Sequence, residues 1–195
     1  MKRKVAGIVF IIGSLYYILA EAISAAHFNA SFIDTYIFHT ISELGIPNAE
    51  SPLFWLMNSA FIFIGLILIF GNFYRFGDYI TKNKAVFYAL SLITGIGVII
   101  VGLIHGGNPL MSGYHTLGAV MAILGGNVLL VLISRSMDEF EVFQQITLIL
   151  GVFGLIVFWI MFFSMENIYM PVLERLSVYT LIIWSFLTGV YLIRD

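Results

Sequence analysis

The chain has 195 residues, 61% of them hydrophobic and only 10% charged, with mean hydropathy +1.02 and a formal net charge of −2. Soluble domains carry roughly a quarter charged residues, so a water-soluble fold is excluded and a bilayer must be the solvent. The small net charge and the lack of a basic stripe argue against a nucleic-acid partner, and the absence of cysteine excludes disulfides and thiolate metal sites.

Lys2-Arg3-Lys4 precedes an apolar run over residues 5–26. That run is about 33 Å long as a helix, enough to span a hydrocarbon core. A signal peptide's apolar region is shorter, about 7–15 residues, so a retained first helix is expected. Five more runs follow, over residues 52–74, 85–104, 114–134, 145–165 and 175–193. Each is long enough to span as a helix, and none has the short alternating pattern of barrel strands. The expectation is an all-α polytopic membrane protein, with six transmembrane helices in one bundle forming a single domain over residues 1–195. Gly65, Gly95, Gly97, Gly125, Gly126, Gly151 and Gly154 lie inside the runs, where small residues let helices approach closely. Trp55, Tyr74, Tyr114, Trp184 and Tyr191 read as interface anchors.

The connection over residues 27–51 is the longest. Phe32, Ile33, Tyr36, Ile37 and Ile41 recur every three or four residues, which predicts a short amphipathic helix at the interface. Ser42-Glu43-Leu44-Gly45 follows. Ser42 is suited to cap a turn, and Gly45 to a left-handed conformation.

Basic residues set the orientation. Lys2, Arg3, Lys4, Arg75, Lys82, Lys84, Arg135 and Arg194 fall at one side and Arg175 at the other. The positive-inside rule makes both termini cytoplasmic and turns the first, third and fifth connections outward, in a multi-pass protein of the cell membrane. The fourth connection mixes Arg135 with Asp138, Glu139 and Glu141, a solvated face.

The polar candidates gather on the outer side. His27 and His39 bracket the first outer loop. His105 and His115 flank the turn Gly106-Gly107-Asn108-Pro109, which brings them to the mouth of one helix hairpin. Glu21 lies roughly 7.5 Å below the outer end of its helix and Asn58 about 9 Å deep in the next. An intramembrane carboxylate is costly and normally faces a partner inside the bundle. Arg175 breaks the charge bias. Its expected role is either pairing with Glu174, Glu166 or Glu43, or holding a lipid phosphate or carboxylate. His39, His105 and His115 with Glu43 offer nitrogen and carboxylate ligands for a zinc ion, although no fixed metal-binding spacing is present.

Three groups of residues carry a family likeness: Ile41-Ser42-Glu43-Leu44-Gly45 with Pro52 and Asn58; Gly102-Leu103-Ile104-His105 with His115-Thr116; and Leu173-Glu174-Arg175 with Trp184. In order and spacing they resemble the motifs of domain-of-unknown-function family 998, over essentially the whole chain. The resemblance implies a six-helix prokaryotic membrane protein and carries no reaction. Members often have proline near the end of the third helix, where this chain has His105-Gly106-Gly107. A more distant likeness in layout, to the Frag/DRAM/Sfk membrane proteins, implies a lipid theme by analogy.

The functional expectation is an outward-facing polar pocket that binds or remodels a lipid headgroup. Arg175, Glu174, Ser42, Asn58 and Glu21 would bind it, with His105 and His115 as catalytic acid/base groups or metal ligands and Glu43 orienting them. A scaffold without turnover is the alternative. A small-solute carrier is disfavoured, because only Ser91, Thr94 and Asn127 continue the polar groups inward.

Overall fold

The computed structural model describes residues 2–48, 50–138, 141–164 and 166–194. Glu139, Met165 and the side chains of Lys2 and Glu141, which figure in the expectations above, lie outside the described residues. The described elements are all helical: α1 (Lys2–Ala26), α2 (Phe32–Phe38), α3 (Phe54–Tyr74), α4 (Lys84–Leu103), α5 (Ser112–Ser136), α6 (Glu141–Phe163) and α7 (Met170–Arg194). Two 3-10 turns, Ser42–Gly45 and Phe76–Tyr79, flank α3. Six of these helices are long and apolar enough to cross a membrane; α2 is the short amphipathic helix of the first connection.

Consecutive spanning helices pack side by side, and α1 closes the ring against α7. A contact between α5 and α7 leaves α6 on the outside. Large apolar side chains such as Leu19, Phe70, Ile149 and Ile156 face outward, as a bilayer solvent requires.

Backbone contact between glycines holds the ring tight. A Cβ on Gly65 would lie 2.7 Å from the carbonyl oxygen of Gly95, and one on Gly95 would lie 2.7 Å from that of Gly65. Gly7 and Gly189 oppose each other in the same way at 2.6 Å, across the α1–α7 closure. Apolar side chains gain little by leaving lipid, so close backbone packing must supply the attraction between helices.

Aromatic side chains fill the end of the bundle that holds the termini. Phe76, fully buried on its turn, meets Trp184 edge-on at 5.4 Å and packs on Phe87 and Phe143; Trp184 also meets Phe10 at 6.2 Å. This corrects two of the expected interface anchors. Trp184 and Tyr191 are buried in the core, whereas Trp55, Tyr74 and Tyr114 are exposed. Trp184 lies well inside α7 on its inward face, so residue type near a helix end was a poor guide to depth. At the same end the backbone N–H groups of Thr81 and Lys82 donate to Ser136 O at 2.8 and 3.2 Å, joining the second and fourth connections. Lys82 Nζ, 3.1 Å from Asp138, holds that carboxyl below its usual range.

Substituting Gly65→Ala is expected to lower stability by about 1–3 kcal/mol, since backbone must move. Gly113→Ala, where a Cβ meets nothing within 4 Å in the first turn of α5, is expected to raise it by roughly 0.5–1 kcal/mol. Thermal unfolding of the purified protein in detergent reads both.

Candidate functional site

An ion pair between the first and last helices anchors the site. Arg175 Nε donates to Glu21 Oε1 at 2.9 Å, with 5% of the Arg175 side chain and none of Glu21 exposed. The Tyr179 hydroxyl donates to Glu21 Oε2 at 2.9 Å. Arg175 Nη1 donates to His39 O at 2.6 Å and to Pro171 O at 3.3 Å. The guanidinium lies 4.8 Å over the ring of Tyr36. Burial, then the nearby Glu21 carboxylate, push the Tyr36 phenol above its usual value, so the ring facing the cation is neutral.

The pairing differs from the expected Glu174, Glu166 or Glu43. The last helix begins at Met170, five residues before the apolar run that marked it, because Pro171 sits in a first turn where a missing N–H costs nothing. Glu174 and Arg175 are therefore successive residues inside a helix, and successive residues do not share a face. Arg175 turns to α1. Glu174 turns to the loop, where its Oε2 accepts the Ile41 N–H at 2.7 Å. The His39–Ile41 backbone is thus pinned at both ends by adjacent residues of α7.

That pinning folds the loop inward. Ile41 and Leu44 are fully buried. Thr40 Oγ1, rather than Ser42, caps the turn by accepting the Glu43 N–H at 3.1 Å; Ser42 Oγ lies 3.1 Å from Thr40 Oγ1. The Ser51 hydroxyl donates to Leu44 O at 2.6 Å, and Asn58 Nδ2 donates to Gly45 O at 2.9 Å. Gly45 is not left-handed. It is glycine because a Cβ there would lie 2.2 Å from Asn58 Oδ1. His39 Nδ1 donates to Glu43 Oε2 at 2.7 Å in a half-exposed pair on the loop's outer side.

Beneath the loop lies a narrow cavity of about 50 Å³. Its lining, among the described residues, comes from α1, α3, α4, α5, α7 and the loop. Aliphatic side chains such as Ile64, Val98, Val101, Ala122 and Leu181 form most of the wall. Ser42, His115 and Glu174 are the expected site residues that reach it; Tyr17, Asn127 and Ser177 complete its polar groups. His115 Nδ1 donates to Ile104 O at 2.6 Å, which leaves Nε2 as an acceptor. The Tyr17 hydroxyl is buried with no partner among the described residues. Farther along α5, Asn127 is already satisfied from α7: its Nδ2 donates to Ser177 O and its Oδ1 accepts from Thr180 Oγ1 at 2.7 Å.

The other expected residues stand outside the cavity lining. Glu21 and Arg175 hold each other, Glu43 holds His39, and Asn58 holds the loop. His105 follows the end of α4, with its Nδ1 buried and without a partner among the described residues. Among the described residues no three His, Asp or Glu side chains gather as metal ligands, so His39, His105 and His115 do not form the anticipated zinc set. Sequence reasoning passed over Tyr17 and Tyr179. A signal was available: each lies four residues from a charged member of the pair, on the same helix face.

The profile of one protein family, described as "Protein of unknown function (DUF998)", matches residues 6–191. The chain belongs to this family. The matched span takes in the ion pair, the loop and the cavity. No curated protein and no solved structure matches the chain.

Removing one partner of the buried pair, as in Glu21→Ala or Arg175→Ala, is expected to destabilise the protein by about 3–5 kcal/mol. The double change to Glu21→Leu with Arg175→Met is expected to cost less than either single one, because no unpaired charge remains. Arg175→Lys is not expected to rescue, since one ammonium cannot reach Glu21 and His39 O with the guanidinium's fork. Equilibrium unfolding in mixed micelles measures all four.

Proposed function

We propose that this integral membrane protein binds a membrane lipid, with the lipid's polar end under the 42–45 turn on the outer face of the cell membrane. One observation carries the reading: a largely aliphatic slot, inside a bundle bathed in lipid, meets a small group of polar side chains at the loop. A site of about 50 Å³ has room for only a few waters. Water fills an apolar slot poorly, whereas the first few methylenes beside a lipid's polar end match its size and its wall. The orientation rests on the eight basic residues at the end opposite the loop.

Turnover of that lipid is the second reading. It is favoured by His115 and Ser42, an imidazole and a hydroxyl that line the same cavity, the imidazole held by its bond to Ile104 O. Carriage of a solute across the membrane is disfavoured by the aromatic plug around Phe76 and Trp184, which fills the opposite end of the bundle.

Ala122, in the cavity wall, tests the binding reading. Native mass spectrometry is expected to find a lipid retained by the wild-type chain and lost from Ala122→Phe; equal retention by both would refute it. The chain has no cysteine, so orientation is testable with single cysteines. Leu110→Cys, at an 89% exposed position in the third connection, is expected to react with an impermeant maleimide on intact cells. Arg135→Cys is expected to react only after lysis, and the reverse pattern would invert the topology.

A further inference from the structure

We infer that the seam between α1 and α7 carries a second lipid site, on the outside of the bundle, for an anionic phospholipid of the cytoplasmic leaflet. Lys4 and Arg194 hold its phosphate, and the groove between the two helices takes one acyl chain. The site is separate from the cavity under the 42–45 turn and shares with that reading only the orientation of the chain. The groove has a volume of about 260 Å³; at roughly 30 Å³ for a water-sized group, it has room for a run of about eight methylenes. Leu15 and Ile18 of α1 and Tyr179, Ile183, Phe186 and Leu187 of α7 line it. Leu15, Ile18, Ile183 and Phe186 are exposed, so the groove is open to the bilayer. Its hydroxyls are already used, since Ser14 donates to Phe10 O at 2.9 Å and Tyr179 to Glu21. A wall without free polar groups suits a tail and not a head.

The two cations stand on the same stripe as the groove. Opposed glycines fix the register of the antiparallel helices. A Cβ on Gly7 would meet Gly189 O, Ile193 and Leu192, and one on Gly189 would meet Gly7 O and Ile11. That register sets Leu15 level with Ile183 and Lys4 level with Arg194. Lys4 precedes Leu15 by eleven residues, and Arg194 follows Ile183 by eleven. Eleven residues make about three turns, so each cation lies on the groove face of its helix, roughly 16 Å nearer the end that holds the termini. One leaflet contributes about 15 Å of hydrocarbon. A lipid anchored at that level therefore lays the far half of its chain in the groove.

Lys4 and Arg194 are exposed and have no ion pair among the described residues. Other cations at this end are engaged: Arg75 meets Asp78, Lys82 meets Asp138, and Arg3 lies 5.5 Å over the ring of Tyr79. Asp195, next to Arg194, lies outside the described residues. Two unpaired cations at one level, above an apolar groove, complement a phosphate that carries a tail. A zwitterionic head brings its own ammonium to the same cations, so an anionic head is favoured over it.

The test is native mass spectrometry of the full chain, released from micelles that hold equal amounts of palmitoyl-oleoyl phosphatidylglycerol and palmitoyl-oleoyl phosphatidylcholine. The wild-type chain is expected to retain phosphatidylglycerol in preference. Lys4→Gln or Arg194→Gln is expected to lower that preference about 5-fold, and the two together about 25-fold. Both side chains are exposed, so these variants keep the fold. Lys84→Gln removes an exposed cation from α4, which packs on α3 and α5, and is expected to change nothing. Leu15→Trp, which fills the groove and keeps both charges, is expected to release the phosphatidylglycerol. Equal retention of the two lipids by the wild-type chain, an equal fall in Lys84→Gln, or full retention in Leu15→Trp would overturn the site. The preference is expected to persist in Ala122→Phe. Its loss there would assign the anionic lipid to the cavity and overturn the groove site.

Discussion

The structure depends on a buried ion pair. Glu21 and Arg175 are both buried, 2.9 Å apart on the first and last spanning helices. An isolated charge there is expensive, and either residue alone would disfavour insertion of its helix. Together, with Tyr179, His39 O and Pro171 O satisfying further atoms, they convert that cost into a constraint. The constraint is topological. The chain must close into a ring for the charges to meet, and the opposed glycines Gly7 and Gly189 continue the same seam.

The same guanidinium organises the outer surface. Its bond to His39 O, beside Glu174's bond to the Ile41 N–H, draws the loop down onto the bundle. Ile41 and Leu44 then bury themselves as a roof. The cavity exists because that roof spans a ring whose walls are small or aliphatic on the inside, while aromatic residues fill the other end. Ring closure, roof and cavity are consequences of one pair of adjacent residues on α7 facing in two directions.

Most of the fold was legible in the sequence. Six apolar runs, their lengths and the polar connections between them translate directly into helices, because a bilayer allows a spanning chain few alternatives. Part of the site was legible too. Glu21 stood out as a carboxylate that needed a partner, Arg175 as a cation on the wrong side, and the 42–45 stretch as a polar knot. Their pairing was not legible, because it turned on where α7 begins. The apolar run starts at Arg175, but the helix starts at Met170, and that change rotates Glu174 away from Arg175. Tyr17 was hidden for a different reason: a tyrosine in an apolar run reads as packing until its unpartnered hydroxyl is seen on a cavity. Gly45 was correctly singled out, yet its conformation is ordinary and its smallness serves the approach of Asn58.

The sequence by itself determined class, helix number, family and the identity of the costly polar residues. These follow from composition and local periodicity, which need no knowledge of distant contacts. Tertiary structure alone decided which polar groups neutralise one another and which line the cavity. Arg175 looked like the ligand-binding cation, and packing placed it against Glu21. Ser42, His115 and Glu174, brought together from a loop and two helices, are left facing the cavity. The difference is physical: hydropathy is a property of each segment, whereas a partner 154 residues away is selected only when the ring closes.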